Sequence, residues 1–200
     1  SEVVGFDAFD ARRDELASAG IVLKKGVDPS TDLEPEYIAV SGGKAYVTLQ
    51  ENNAIAVLDL ASRTFDGIYS AGFEDYSVTL IDIDKKDDAY APRTYGSLMG
   101  IRMPDGITAF QVDGKTYLVT ANEGDAREWG DEDLGTFYLS EDEQDFGEEG
   151  VTSPTGAITG ENSGLEGKVV FFKVEDFDGT TSSAAAPLPF MRPGRTASPR

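Results

Sequence analysis

Hydrophobic and polar positions follow two different periods along this chain. The segment "DAFDARRDELASAG", residues 7–20, has the spacing of a short amphipathic helix, which Asp7 or Asp10 is placed to cap and Gly20 to end. From Tyr37 onward the apolar residues follow the period of two that is typical of a half-buried strand. The pattern therefore predicts an all-β body preceded by a short N-terminal helix.

Three strand-like runs, "YIAV", "AYVTLQ" and "AIAVLDL", follow one another between residues 37 and 60. The turn residues Gly42, Gly43 and Lys44 separate the first two runs, and Glu51-Asn52-Asn53 separates the second from the third. A fourth run, "SRTFDGIY", comes directly after them. Four antiparallel strands joined by tight turns predict a meander of the kind that forms one blade of a β-propeller.

The opening of this unit returns later in the chain, as "MPDGITAFQVDGKTYLVTANEG". The two copies correspond at Pro35 and Pro104, Ile38 and Ile107, Lys44 and Lys115, and Gln50-Glu51 and Asn122-Glu123, the second being slightly longer in its hairpin. Self-similarity at a long period is typical of repeat β folds. We expect β-propeller blades forming a partial propeller over residues 1–178.

The rest of the chain is interpreted around these two copies. Residues 72–101 and 125–164 are polar and turn-rich, which predicts long inserted loops, and "GKVVFFKVEDF" predicts one more strand. The solvated charges of "SEDEQDFGEE" belong to the second loop. Residues 179–200 are biased toward Ser, Ala, Pro and Arg, and we expect them to form a disordered tail.

The charge of the chain narrows the range of partners. Its 200 residues include 37 acidic and 17 basic ones, giving a net charge of −20 and a pI near 4.2. Binding to nucleic acid or to an anionic membrane needs clustered Lys and Arg, and here these residues are scattered among carboxylates. Two interpretations of the acidity remain open: a strongly solvated surface, or carboxylates concentrated to hold hard cations such as calcium.

Two missing residue types exclude several chemistries. The sequence has no Cys, which excludes disulfides and thiolate nucleophiles, and no His, which excludes Ser-His-Asp triads and most zinc or iron sites. Any catalysis must use carboxylates, Lys, Arg, Tyr, Ser or a bound cation. No apolar run approaches the ~20 residues of a transmembrane helix, so no transmembrane segment is predicted.

The meander topology brings acidic residues from both copies to one end. If the strands run up, down and up, the segment before the first strand and the turn after the second share an end of the sheet. Crowded carboxylates there would repel one another, and a cation with oxygen ligands would relieve the repulsion. The candidate ligands of Ca²⁺, with Mg²⁺ or Mn²⁺ as alternatives, are Glu36, Glu51, Asp105, Asn122, Glu123 and Asp125.

Two nearby residues are also candidates for function. Arg127 is placed to clamp a phosphate beside the cation as a catalytic residue, and Trp129 to stack on a sugar. The alternatives are an ordinary ion pair for Arg127 and a packing role for Trp129. The acidic and amide residues likewise have an alternative explanation, because tight turns favour Asn and Asp.

Several segments of the chain resemble sequences of the choice-of-anchor I family, also labelled mesenchyme-specific cell surface glycoprotein-like. They are "FDAFDARRDELASAGIVL", "DLEPEYIAVSGGKAYVTLQENNAIAVLDL", "GFEDYS" and "MPDGITAFQVDGKTYLVTANEGDAREW", and together they cover about residues 6–130. The resemblance implies a secreted or surface-anchored β-propeller with YVTN-type repeats and seven blades, most of them outside this chain. It also implies an extracellular or cell-surface location. The chain has Tyr76 where the family usually has a His.

Three functions are compatible with the sequence. The first is a secreted or cell-surface binding module whose acidic face holds calcium and through it a glycan or phosphoester ligand. The second is a metal-dependent phosphoester hydrolase, since some family members are described as alkaline phosphatases or phytase-like esterases. The third is an interaction scaffold without a metal.

Overall fold

The computed structural model describes residues 2–82, 89–95, 98–124, 127–130, 133–139, 141–145, 168–180 and 187–188. The described helices are all short: a 3-10 helix Asp7–Arg12, α1 (Arg13–Ser18), α2 (Pro29–Asp32) and a 3-10 helix Val174–Asp176. The strands are β1 (Leu23–Lys24), β2 (Ile38–Ser41), β3 (Lys44–Leu49), β4 (Ala54–Asp59), β5 (Thr64–Ser70), β6 (Phe73–Asp75), β7 (Met99–Ile101), β8 (Pro104–Val112), β9 (Lys115–Asn122), β10 (Glu128–Trp129), β11 (Tyr138–Leu139), β12 (Glu141–Asp145), β13 (Lys168–Phe172), β14 (Phe177–Asp178) and β15 (Pro187–Leu188). The all-β prediction is confirmed.

The predicted N-terminal helix is present, but its caps differ from the prediction. It begins as a 3-10 turn with Phe6 at the N-cap and continues as α1, and no side chain caps either part. Asp10 instead accepts hydrogen bonds from the backbone N–H and the Oγ of Ser30, both at 2.8 Å, and so ties the helix to α2. Gly20 has a φ of +88°, as the prediction of a glycine C-terminal to the helix requires.

The first copy forms the predicted four-stranded meander. Its strand order is β2-β3-β4-β5, and every neighbouring pair is antiparallel. Gly42 and Gly43 join β2 to β3 with positive φ angles of 59° and 78°, the combination that a two-residue type I′ turn needs. The sequence signal for this turn is local, which is why the prediction holds residue by residue.

The second copy forms a hairpin of the same design. β8 and β9 pair antiparallel around Asp113 and Gly114, whose φ angles of 49° and 75° reproduce the turn of the first copy. The extra length predicted for this hairpin lies in its strands, since continuous pairing runs from Ile107 and Thr120 to Val112 and Lys115. A register irregularity follows between Pro104 and Ile107. Among the described residues, β8 and β9 alone form this sheet.

The main core lies between the N-terminal helices and the first sheet. The helices contribute Phe9 and Leu16, and the sheet contributes Val47, Leu49 and Ile68. Leu49 is fully buried, and burial of a side chain of this size contributes about 1.5–3 kcal/mol. The helical segment that precedes the repeat is therefore part of the same hydrophobic unit as the four-stranded sheet.

A second core joins parts of the chain that are distant in sequence. Val22, Ile101, Met103 and Phe177 are buried together, and Trp129 packs against them. Strands β1 and β14 pair antiparallel beside this core, so the segment after the N-terminal helix meets the segment after β13. The cores together place the second copy next to the first.

Three findings concern the predicted loops and tail. The 72–101 segment contains the pair β6-β7, and β12 forms where the sequence predicts a loop, antiparallel to the predicted strand β13. β12 is acidic and has no strand signal of its own, so the loop prediction is wrong there. β15 pairs with β13 and falls within residues 179–200.

The described strands form separate small sheets. No described helix is long and apolar enough to cross a membrane.

Candidate functional site

Carboxylates from both copies converge at one end of the two hairpins, as the topology predicts. Glu36 lies just before β2 and Glu51 in the turn after β3, while Asp105 lies in β8 and Glu123 directly follows β9. The negative charges of Asp105 and Glu123 repel the carboxylate of Glu36, and the charge of Glu36 repels the carboxylate of Glu51. We call these four residues together with Glu34 the acidic cluster.

The two copies approach each other at Glu36 and Asp105. Their side chains lie close enough for Asp105 to act on the Glu36 carboxyl group. Partial desolvation raises the pKa of Glu36, and the charges of Asp105 and Glu34 raise it further. Asp105 lies within the irregular stretch between Pro104 and Ile107, and a bulge of this kind re-aims a side chain relative to a regular strand.

Glu51 has the most strongly raised pKa in the acidic cluster. Burial raises its pKa from 4.5 to about 7, and the charges of Glu36 and Glu34 add to the effect. A backbone hydrogen bond and the charge of Arg127 act in the opposite direction without cancelling it. Within the described structure, its buried Oε2 atom has no hydrogen-bond partner. The site therefore favours a proton or a cation at this oxygen.

Arg127 is buried beside the cluster and is engaged in an ion pair with Asp32. Only 3% of Arg127 and 5% of Asp32 is exposed. Arg127 Nη2 donates to Asp32 Oδ1 at 2.9 Å and to the Asp32 carbonyl at 3.0 Å, and it also donates to Glu34 Oε1 at 3.0 Å. Burial alone would lower the pKa of Arg127, but the hydrogen bonds and charge of Asp32 hold it above its ordinary value. These contacts fit the ion-pair interpretation, and the catalytic role stays a prediction.

Asp32 is at the centre of this arrangement, although nothing in the sequence pointed to it. Its Oδ2 atom also accepts the backbone N–H of Lys24 at 2.9 Å, so the carboxylate fixes β1 as well as Arg127. Its position in "DPSTD" has the composition of an ordinary turn. No local signal could have identified it, because its partner lies 95 residues away.

Two buried asparagines hold the backbone around the cluster. Asn52 Nδ2 donates to the carbonyl of Val22 at 2.9 Å, and its Oδ1 accepts the N–H of Glu34 at 3.2 Å. Asn53 Oδ1 accepts the N–H of Met103 at 3.0 Å, immediately before β8. Both side chains therefore fix backbone segments that carry the acidic cluster.

The remaining predicted residues have different positions. Asn122 is exposed, and its Oδ1 accepts the hydroxyl of Thr120 at 2.9 Å. Asp125 lies outside the described residues. No three acidic side chains in the described part of the chain are arranged to hold one metal ion together. The structure thus brings Glu36, Glu51, Asp105 and Glu123 into one cluster without forming a ready-made chelate.

Trp129 is covered on both faces. Its ring stacks on Tyr138 with centroids 4.1 Å apart, and Lys24 Nζ lies 3.9 Å from the Trp129 ring centroid. Two groups at such short distances cannot occupy the same face, so they lie on opposite sides of the indole. This arrangement agrees with the packing interpretation and leaves neither face for stacking on a sugar.

Comparison with known proteins gave one match. The family model described as "Choice-of-anchor I domain" matches residues 1–185. Searches of curated proteins and of solved structures gave no significant match. The matched range contains every described residue of the acidic cluster and the Arg127–Asp32 pair.

Proposed function

The chain belongs to the choice-of-anchor I family, and from this premise we propose that it is a binding module whose acidic cluster takes up calcium. Membership of the family makes it a cell-surface-associated domain. In such a location calcium sites of extracellular modules work with dissociation constants of about 10⁻⁴–10⁻³ M. A bound cation would then present a positive centre to a glycan or phosphoester ligand.

The observation that supports the proposal is the approach of Glu36 and Asp105. Two carboxyl groups from different copies lie close enough there for the charge of Asp105 to act on Glu36. Oxygen ligands packed this closely are stabilised either by protons or by a hard cation. At the pH of most extracellular fluids the proton is scarce, which favours the cation.

The geometry also specifies what binding would require. Because no three described acidic side chains already surround a common point, they must turn toward the ion. Glu51 has a buried oxygen available as an acceptor, and Glu123 is close enough to act on Glu36 electrostatically. Calcium accepts six to eight oxygen ligands in flexible geometry, so it tolerates such adjustment better than magnesium does.

Calorimetric titration tests the proposal directly. The full chain is stripped with a chelator and titrated with calcium, while its thermal melting is followed with and without the ion. We expect saturable heat and a higher melting temperature, since a ligand of the native state stabilises it. The Glu36→Gln and Asp105→Asn double variant should lose both effects.

The matched control is Asp113→Asn, which removes one carboxylate in the turn at the other end of the β8-β9 hairpin. Asp113 has a φ of 49°, which Asn tolerates well, so this variant should fold and bind calcium as the unmodified chain does. Absence of calcium-dependent heat in the unmodified chain would contradict the proposal and favour the scaffold without a metal.

The hydrolase alternative is tested with the same samples. Metal-dependent hydrolysis of an aryl phosphate that is lost in the double variant would favour the hydrolase. The enclosure of Arg127 by Asp32 and Glu34 argues against its direct contact with a phosphoester. We therefore place the binding module first.

A further inference from the structure

Aspartate followed by glycine is a reactive pair, because the backbone nitrogen of the glycine can attack the side-chain carboxyl group of the aspartate. Glycine has no Cβ to hinder this approach, and it adopts a wide range of backbone angles. The chain contains four such pairs, at residues 66–67, 105–106, 113–114 and 178–179. All four lie within the described ranges, and their surroundings differ.

Two of the pairs are held by ion pairs and close contacts. Asp66 forms an ion pair with Lys44, and the glycine after it is buried within β5. Arg13 Nη1 donates to Asp178 Oδ2 at 2.9 Å, and the glycine that follows Asp178 lies against the backbone between α1 and β1. Attack by the nitrogen at either pair first requires these contacts to break.

A third pair, Asp105-Gly106, lies inside β8 beside the acidic cluster. Both residues are half-buried, and a Cβ on Gly106 would lie 4.0 Å from the Cβ of Ala121 in β9. β8 pairs with β9 on both sides of them, at Pro104 and at Ile107. This pairing restrains the backbone rotation that brings the nitrogen to the carboxyl carbon.

The fourth pair, Asp113-Gly114, is the tip of the β8-β9 hairpin, and both of its residues are exposed. Among the described residues, no atom lies within 4 Å of the position that a Cβ would take on Gly114. In a two-residue turn the hydrogen bonds join the flanking residues, here Val112 and Lys115. The N–H of Gly114 takes no part in them, so its nitrogen can move without breaking the ladder.

We propose that Asp113-Gly114 is a site of spontaneous isomerisation, at which isoaspartate forms. In the first step the nitrogen of Gly114 bonds to Cγ of Asp113, and the carboxyl OH leaves with the amide hydrogen as water. The product is a five-membered succinimide ring. In the second step water adds to the main-chain carbonyl carbon of Asp113, and the bond from this carbon to the nitrogen breaks. The chain then runs through Cγ, no group is oxidised or reduced, and water is the one reagent.

The product changes the turn on which the hairpin depends. Isoaspartate adds one carbon to the backbone, so the φ angles of 49° and 75° that define this turn no longer apply. The second hairpin also touches the first near its tip, since a Cβ on Gly42 would lie 2.9 Å from Gln111 Nε2. Isomerisation should therefore loosen the contact between the two copies at the end opposite the acidic cluster. It involves no cation and is independent of the proposed calcium binding.

Peptide mapping of the aged full chain tests the proposal. The chain is kept for weeks in mildly acidic buffer made with heavy-oxygen water, once folded and once in guanidinium chloride, and isoaspartate at each of the four pairs is quantified by mass spectrometry. In the folded chain, Asp113-Gly114 should isomerise about tenfold or more faster than the other three pairs, because those must first lose hydrogen bonds or ion pairs. In guanidinium chloride all four should react at similar rates.

Two results would overturn the proposal. One is equal rates at the four pairs in the folded chain, and the other is no isoaspartate at Asp113 in the folded chain under conditions that produce it in guanidinium chloride. Asp113→Asn provides a second test of the turn, because it forms the same ring with loss of ammonia and should react faster than the unmodified chain. If this variant reacts when unfolded and stays unchanged when folded, the turn prevents ring closure and the proposal fails.

Thermal melting tests the effect on the hairpin. The aged chain should melt at a lower temperature than the fresh chain. The matched control is Asp113→Glu, whose longer side chain closes a ring far less readily, and ageing should leave its melting temperature unchanged. Equal losses for the unmodified chain and for Asp113→Glu would contradict the effect on the turn.

Discussion

Arg127 and Asp32 form a buried ion pair between residues 95 positions apart, with Nη2 and Oδ1 separated by 2.9 Å. The pair joins the segment that follows the second copy to the segment that precedes the first. Asp32 also accepts a backbone N–H from β1, and Arg127 reaches Glu34 at the margin of the acidic cluster. One salt bridge therefore fixes the relative position of the two copies at the end where their carboxylates meet.

Removal of one partner of this pair should destabilise the whole chain. Arg127→Ala leaves the Asp32 carboxylate buried without its counter-charge, and we expect the free energy of unfolding to fall by about 3–5 kcal/mol. Arg127→Lys keeps the charge but loses the forked geometry, so its effect should be intermediate. Denaturant titration measures both. The control is Arg12→Ala, which breaks the exposed Arg12–Glu15 pair and should have a far smaller effect. Equal losses in the free energy of unfolding for Arg127→Ala and Arg12→Ala would contradict this prediction.

Asn53 should stabilise the folded chain in two ways, through its side-chain hydrogen bonds and through its tolerance of a positive φ angle. It is fully buried with a φ of 52°, it accepts from the N–H of Met103 at 3.0 Å, and it donates to the carbonyl of Gly72 at 3.0 Å. Asn53→Ala and Asn53→Gly both leave these groups unpaired, at a cost of roughly 2–4 kcal/mol. Asn53→Ala should be the worse by about 1–2 kcal/mol, because only glycine adopts the left-handed region without strain. Thermal melting of the two variants separates these contributions, and a native-like Asn53→Gly would show that the hydrogen bonds contribute nothing.

The stability of the chain should depend on pH through Glu51. Its pKa is raised from 4.5 to about 7 in the folded state, so between these values the folded chain binds more protons than the unfolded chain. The free energy of unfolding therefore falls as the pH rises through this window and changes no further above it. Glu51→Gln removes this effect: after allowance for partial exposure, we expect it to be more stable than the unmodified chain by roughly 1–3 kcal/mol near pH 8 and almost equal to it near pH 4. Denaturant titrations at several pH values measure the difference, and a difference independent of pH would rule out this role.

Gly179 should be intolerant of any side chain. Its φ is +83°, and a Cβ atom there would lie against the backbone carbonyl of Ile21, well inside van der Waals contact. Gly179→Ala should therefore displace the segment that contains β14 from β1 and lower the free energy of unfolding by about 3 kcal/mol or more. Gly26→Ala is the matched control, since Gly26 has a φ of +73° with no atom within 4 Å of the added carbon. Similar melting temperatures for the two variants would show that the close approach to Ile21 has no energetic effect.

Elements with a local signal were predicted correctly from the sequence. The two hairpins have their turns at Gly42-Gly43 and Asp113-Gly114, because the positive φ angles of a type I′ turn select such residues. The acidic end of the repeat was also predictable, since strand direction alone places Glu36 and Glu51 on the same side. The cap of the N-terminal helix was not, because Asp10 makes a stronger set of contacts with Ser30 in α2.

The amino-acid sequence was enough to predict the all-β class, the repeated hairpin, the order of the four-stranded sheet and the residues available for the acidic cluster. These depend on alternation and turn chemistry, which act over a few residues. The three-dimensional arrangement was needed to show that Arg127 pairs with Asp32, that Trp129 is covered on both faces, and that Glu36 lies near Asp105. Burial and electrostatic interaction depend on distance in space, and residues far apart in the chain carry no mark of the partner they will meet.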